Sequence, residues 1–235
     1  MAKRQKKSSD RTYLDTLSKI SNAITSDFYL GDVLKLIVTL TANVMKAKIC
    51  SLWILDEEKK ELKIRATQAM SAEYLKERTL KLGEGIVGLV AKERKPIVIS
   101  DVTRDSRYKE KRLAQKEKLV SMLSVPMLVK KRLVGVINCY TTQDYKFTKS
   151  DIALLSTVAN QAAVAIENTE LVVKTKVVQE ELEARKKIER AKGILMRERG
   201  LTEDEAYRLI RKSSMDKRVH MKDIAEAIII SHELK

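Results

Sequence analysis

The residues best suited to chemistry lie near the C-terminal end, and their chemistry is recognition rather than bond making. Tyr207, Arg211 and Ser214 recur at i, i+4 and i+7, which sets them on one outward face of a helix. A tyrosine ring and a guanidinium plane are surfaces on which an unpaired base stacks, and a serine hydroxyl bonds a base edge. Lys192, Arg197, Lys212 and Arg218, with Lys186, Lys187, Arg190, Lys217 and Lys222, supply a positive field that draws phosphates. Such contacts position a nucleic acid and carry little sequence information. Gly193 costs a helix about 1 kcal/mol relative to alanine, and its expected use is the close approach of RNA or of a neighbouring helix. Met196 and Met215 read as core. His220 and His232 share this segment with no cysteine or acid set that suggests a triad or a metal, so catalysis is the least supported class.

The elements that must position these side chains follow from the periodicity. Ile188, Ala191 and Leu195 give one helix its apolar face. Gly200 predicts a left-handed stop. Thr202 with Glu205 predicts a capping box that opens a second helix, with Ala206, Leu209, Ile210 and Ser213 inward. A third helix is expected from about Met221 to Glu233, with Ile224, Ala225 and Ile228 inward. The expected product is a small three-helix unit with an aromatic–arginine stripe.

The residues Ala191-Lys192-Gly193, Leu195-Met196, Ala206-Tyr207, Leu209, Arg211, Ser214-Met215, Arg218 and the run Asp223-Ile224-Ala225-Glu226-Ala227 resemble the ANTAR family of antiterminator modules. The resemblance implies RNA binding as a dimer, at paired stem-loops in mRNA leaders that overlap a transcription terminator. On that reading Lys192, Gly193, Arg197, Tyr207, Arg211, Lys212, Ser214 and Arg218 are the candidate RNA-binding residues.

Composition agrees with a polyanionic partner. The 235 residues carry a net charge of +15, with 34% charged and 44% hydrophobic residues, the profile of a soluble globular chain. The two cysteines, Cys50 and Cys139, fall in apolar strand-like runs far apart in sequence. Buried free thiols in a reducing compartment are expected, with no zinc site and no cofactor. No signal-peptide h-region and no membrane-spanning run is seen, so a cytoplasmic location is expected.

Upstream, residues 1–11 read as a basic flexible arm. Two amphipathic helices follow from Thr12, carried by Leu14, Leu17, Ile20 and Ile24 and then by Leu30, Val33, Leu34, Ile37, Leu40 and Val44. The period then changes to two. The runs 49–55 and 61–67 predict a hairpin, 97–99 a short strand, and 121–129 and 132–141 a second hairpin turned by Lys130-Lys131. Pro126 restricts its strand to an edge or a bulge. Gly83-Glu84-Gly85-Ile86-Val87-Gly88 predicts a tight turn into a short helix ending near Glu93, without the ending of a phosphate loop.

That glycine run, with Pro96, Asp101-Val102, Val125-Pro126, Leu133-Val134-Gly135-Val136 and Phe147-Thr148 with Asp151, resembles a GAF domain over residues 12–171. The resemblance implies an α+β fold, an antiparallel sheet flanked by helices, used for small-molecule sensing and dimerisation. Trp53, Asn138, Cys139 and Phe147 are the candidate pocket residues for a small-molecule ligand. Asn138, Phe147 and Asp151 match part of a cyclic-nucleotide set, but Cys139 and Ile152 stand where its lysine and glutamate belong.

From Thr148 a helix begins with Thr148 and Asp151 as its cap, and no proline or glycine interrupts it until Gly193. Residues 172–184 read as a coiled-coil linker that pairs two copies in parallel, and 185–235 as the RNA-binding domain. Two other readings stay open: a GAF metabolite or redox sensor signalling through protein partners, with the last helices as a docking tail, and DNA binding through a helix-turn-helix.

Overall fold

A computed structural model describes residues 14–24, 29–69 and 78–234. The expected basic arm, 1–11, lies outside them. Helix α1 covers residues 14–24 and α2 Leu30–Val44. The strands are β1 (Ile49–Asp56), β2 (Glu61–Thr67), β3 (Thr79–Lys81), β4 (Ile97–Ile99), β5 (Met122–Val129) and β6 (Arg132–Tyr140). Between them lie α3 (Gly85–Glu93) and α4 (Lys111–Lys116), and behind them α5 (Lys149–Arg199), α6 (Glu203–Lys217) and α7 (Met221–Glu233).

The strands form one antiparallel sheet in the order β3-β2-β1-β6-β5-β4. Alternation along β1, β5 and β6 sorts its side chains to two faces. Cys50, Leu52, Leu123, Val125, Ile137 and Cys139 pack with α1, α2 and the first turns of α5. Ile49, Trp53, Met122, Val136 and Tyr140 pack with α3 and α4.

Local chemistry explains the joints. Pro126 pairs with Val136 on β6, while β4 reaches only as far as Ser124, so its missing N–H faces an edge where no strand continues. The register shift predicted as one option lies beside it, between Met127 and Leu128. Gly135 is required by close approach: a Cβ there would stand 2.0 Å from the Trp53 carbonyl oxygen and 2.5 Å from Met127 Cε. Gly88 is held the same way, 2.4 Å from the Lys81 carbonyl. At the start of α5 the Thr148 N–H and hydroxyl donate to the Asp151 carboxylate at 2.7 and 2.8 Å, and the Asp151 N–H donates back to Thr148 Oγ1 at 3.2 Å. The expected cap is present.

The chain divides into two compact units, Met1–Thr169 and Glu170–Lys235. Helix α5 is continuous for 51 residues and belongs to both.

Candidate nucleic-acid interface

In the second unit the end of α5, α6 and α7 close on a core of Ala191, Ile194, Leu195, Ala206, Ile210, Ile224, Ala225 and Ile229. Gly200 is left-handed at φ 65 and breaks α5 from α6. The Glu205 N–H donates to Thr202 Oγ1 at 3.4 Å, and the Thr202 N–H donates to the Glu205 carboxylate at 2.9 Å. That bond, with one from the Thr202 hydroxyl, holds the Glu205 carboxyl below the ordinary carboxylate range.

Lys192 does not stand where the sequence reading put it. Its side chain is 8% exposed, and its ammonium lies 2.9 Å from Glu189 and 2.7 Å from Glu203. The hydrogen bond to Glu203, then that to Glu189, raises the Lys192 ammonium above its usual pKa, and the same contact lowers Glu203. Lys192 is a clamp between α5 and the first residue of α6, because the helix turn that buries Ala191 also carries its neighbour inward. Glu189 and Glu203 were missed; the i, i+3 spacing of Glu189 and Lys192 is the signal that could have found the first.

The remaining cations divide by helix. Lys187 pairs with Glu226 at 3.0 Å and Arg190 with Glu233 at 2.6 Å, tying α5 to α7. Arg197, Arg211, Lys212, Lys217 and Arg218 are exposed and make no ion pair among the described residues. Their field is left for solvent and ligands, and most of it lies on α6 and its C-terminal turn. Tyr207 is 42% exposed on the same helix. Ser214 shares the stripe, but its hydroxyl donates to the Val219 carbonyl at 2.6 Å and fixes the α6–α7 turn. Arg218 ends α6 at φ 54. Gly193 has nothing within 4 Å of where a Cβ would stand, so no packing in this unit demands a glycine. Met215 is exposed rather than core, and Met196 is partly so.

The four pocket candidates of the first unit separate. Trp53 and Asn138 face α3 and α4, whereas Cys139 and Phe147 belong to the core beneath α2 and α5. The period of two places consecutive residues Asn138 and Cys139 on opposite faces, so these four do not line one pocket. Around Trp53 and Asn138 the structure brings Ser51, Ser124, Arg78 and Glu110, none of which the sequence reading named. Polar residues inside otherwise apolar strands were the available signal. Cys50 and Cys139 are free, buried and directly opposite each other on β1 and β6. Burial first, and then the Cys139 thiol, push the Cys50 thiol well above its usual pKa.

Family models match residues 30–167 as a GAF domain and residues 176–229 as an ANTAR domain. The chain belongs to the GAF domain family. Behind its GAF domain it carries an ANTAR domain. The chain is 26% identical over 158 residues to the phosphoenolpyruvate-dependent phosphotransferase system of Escherichia coli (strain K12), covering 67% of this chain and 21% of that protein. It is 46% identical over 50 residues to the transcriptional regulatory protein PdtaR of Mycobacterium tuberculosis (strain ATCC 25618 / H37Rv), covering 21% of this chain and 24% of that one. The chain thus spans about a fifth to a quarter of the length of these relatives. Among solved structures, the GAF domain of a phosphoenolpyruvate-protein phosphotransferase from Coxiella burnetii superposes with a TM-score of 0.64 at 26% identity, covering 70% of this chain and 98% of that one. The free methionine-R-sulfoxide reductase of Neisseria meningitidis shares the fold alone, at TM-score 0.59 and 17% identity over 68% of this chain and 91% of that one.

No helix among the described residues is long and apolar enough to cross a membrane.

Proposed function

We propose that the protein is a cytoplasmic homodimer whose two ANTAR domains grip paired stem-loops in a nascent mRNA leader. Holding both loops disfavours the competing terminator hairpin, and transcription continues. The chain acts by binding, without a catalytic step, and a signal sensed at the GAF domain controls it.

The observation that carries this reading is the outer face of α6. It presents Tyr207 for stacking with Arg211 one turn on, and Lys212, Lys217 and Arg218 add exposed charge along the same helix and its end; none of these four cations makes an ion pair among the described residues. Support for the dimer comes from α5 beyond the GAF domain. Leu171, Thr175, Val178 and Leu182 follow the four-three spacing of a coiled-coil seam, and the three apolar ones are exposed in the single chain. Two linked modules raise apparent affinity for a tandem RNA without new contacts.

The test is binding of full-length Arg211→Ala and Lys149→Ala to a tandem stem-loop RNA. The first should weaken binding by about ten- to a hundredfold, and the second should leave it unchanged. Equal effects would sink the assignment of α6. A second reading, a GAF sensor acting through protein partners, draws on Ile230 and Leu234, exposed near the end of α7. The same experiment separates the two, since that reading requires no preference for RNA.

A further inference from the structure

Among the described residues, the non-glycine positions with positive φ are Lys46, Lys60, Arg94, Lys118, Lys130 and Arg218, and every one is basic. Glycine or asparagine takes that left-handed conformation at least cost, and a long side chain strains it. The backbone asks for neither lysine nor arginine at such a corner, so the charge has another use.

Two of these corners meet on the GAF domain. Arg94 ends α3 at φ 55, Lys130 turns β5 into β6 at φ 52, and Arg94 Nη1 donates to the Lys131 carbonyl at 2.9 Å. That bond gathers Lys92, Arg94, Lys95, Lys130 and Lys131, all of them exposed and none in an ion pair among the described residues. Glu93 is the one carboxylate on segments 92–95 and 130–131. Beyond the other end of β4 the chain does the opposite: Arg104 lies 3.1 Å from Asp101, and Arg107 lies 2.7 Å from Asp105. Cations crowded at one corner repel one another, and a polyanion relieves that repulsion. The two segments hold no apolar side chain to enter a bilayer and no aromatic ring on which a base would stack. What they fit is a chain of phosphates. Next along the chain, Arg132 lies 2.9 Å from Glu167, and the first unit ends at Thr169. The corner therefore sits at the end of the sheet where α5 passes out of the GAF unit.

Resting on the reading of the chain as an RNA-binding regulator, we propose that this corner is a second RNA contact, holding the phosphates of the single-stranded leader beside the stem-loops. It reads no base. It adds affinity and positions the leader, as phosphate contacts do.

The test uses the full-length protein and two RNAs: a minimal tandem stem-loop, and the same RNA with a single-stranded extension on either side. The parent should bind the extended RNA about tenfold more tightly. Lys130→Gln with Lys131→Gln should abolish that gain and lower the salt slope on the extended RNA by about 1.4, the value of two single-strand phosphate contacts, while leaving the minimal RNA unaffected. Lys46→Gln with Lys118→Gln removes the same charge from corners that stand before the other ends of β1 and β5, and should keep the gain. Lys130→Gly separates backbone from ligand: it should raise the unfolding midpoint, because glycine suits φ 52, and still reduce the gain. An extension that gives the parent nothing, a gain kept in full by the Lys130–Lys131 variant, or an equal loss in the Lys46–Lys118 variant would overturn the proposal. So would binding to anionic phosphatidylglycerol vesicles that depends on Lys130 and Lys131 while RNA binding does not, since the corner would then serve a membrane. Failure of the parent to bind the minimal RNA removes the antitermination reading; minimal and extended RNA bound alike remove this inference alone.

Discussion

At Lys192 the chemistry of the side chain and its role part company. An ammonium on a helix near an RNA-binding face invites a phosphate-contact reading, yet two carboxylates hold it almost out of solvent. Replacing Lys192 by methionine should loosen α6 while leaving the salt dependence of RNA binding unchanged. Lys212→Ala should do the reverse, reducing the slope by about 0.7 to 1, the value of one phosphate contact. The pair also sets a pH window. The Glu203 and Glu205 carboxyls are depressed in the folded chain, so their contribution is present above the unfolded carboxylate value and is lost as pH falls through the lower folded values. Lys192 is raised, so its contribution is full below its unfolded value and is lost as pH rises through the folded one. Hydrogen-exchange protection of the α6 amides should therefore be flat between about pH 6 and 9 and fall on the acid side, with Glu203→Gln removing part of that acid limb. An acid limb identical in the variant would contradict the clamp.

At the scale of elements, two glycines make opposite predictions. Gly135→Ala drives a Cβ into the Trp53 carbonyl and should unseat β1 from β6, unfolding the GAF domain at temperatures where the parent is native, as followed by circular dichroism. Gly193→Ala meets nothing, so it should stabilise α5 by up to about 1 kcal/mol; if RNA approaches the bare backbone there, affinity falls as stability rises. Inside the C-terminal core, Ile210→Ala should cost about 2–5 kcal/mol through the cavity it leaves, because Ile210 is 0% exposed. Elements governed by local signals were legible in the sequence: the Thr202–Glu205 box, the Gly200 stop, the Thr148–Asp151 cap and the end of α3 at Glu93 all follow from residues within one turn. What the sequence withheld depends on contacts made across the fold. Cys50 and Cys139 are far apart along the chain and face each other across two strands. Asn138 and Cys139 are neighbours in sequence and point to opposite cores. Arg78 reaches Glu110 and Trp53 only once β3 and α4 are folded around the same face. The contacts of Lys192 were not legible either, because the order of charges along the chain gives no account of which ones find carboxylates across a helix turn.

For the whole molecule the account turns on two modules acting together. A single chain leaves Leu171, Val178 and Leu182 in water, so a dimer by light scattering is expected, and Val178→Asp with Leu182→Asp should return it to a monomer. That monomer should keep its affinity for one isolated loop and lose the gain from a tandem pair. The most direct measurement is binding of the full-length protein to three nucleic acids at two salt concentrations. These are a tandem stem-loop RNA, the same RNA with one loop scrambled, and a duplex DNA of equal charge. The account predicts tight binding to the intact tandem RNA, a large loss on scrambling one loop, and weak, steeply salt-dependent binding to the duplex. Equal binding to all three, falling together with salt, would contradict it, because the charge on α6 would then attract any polyanion without reading one.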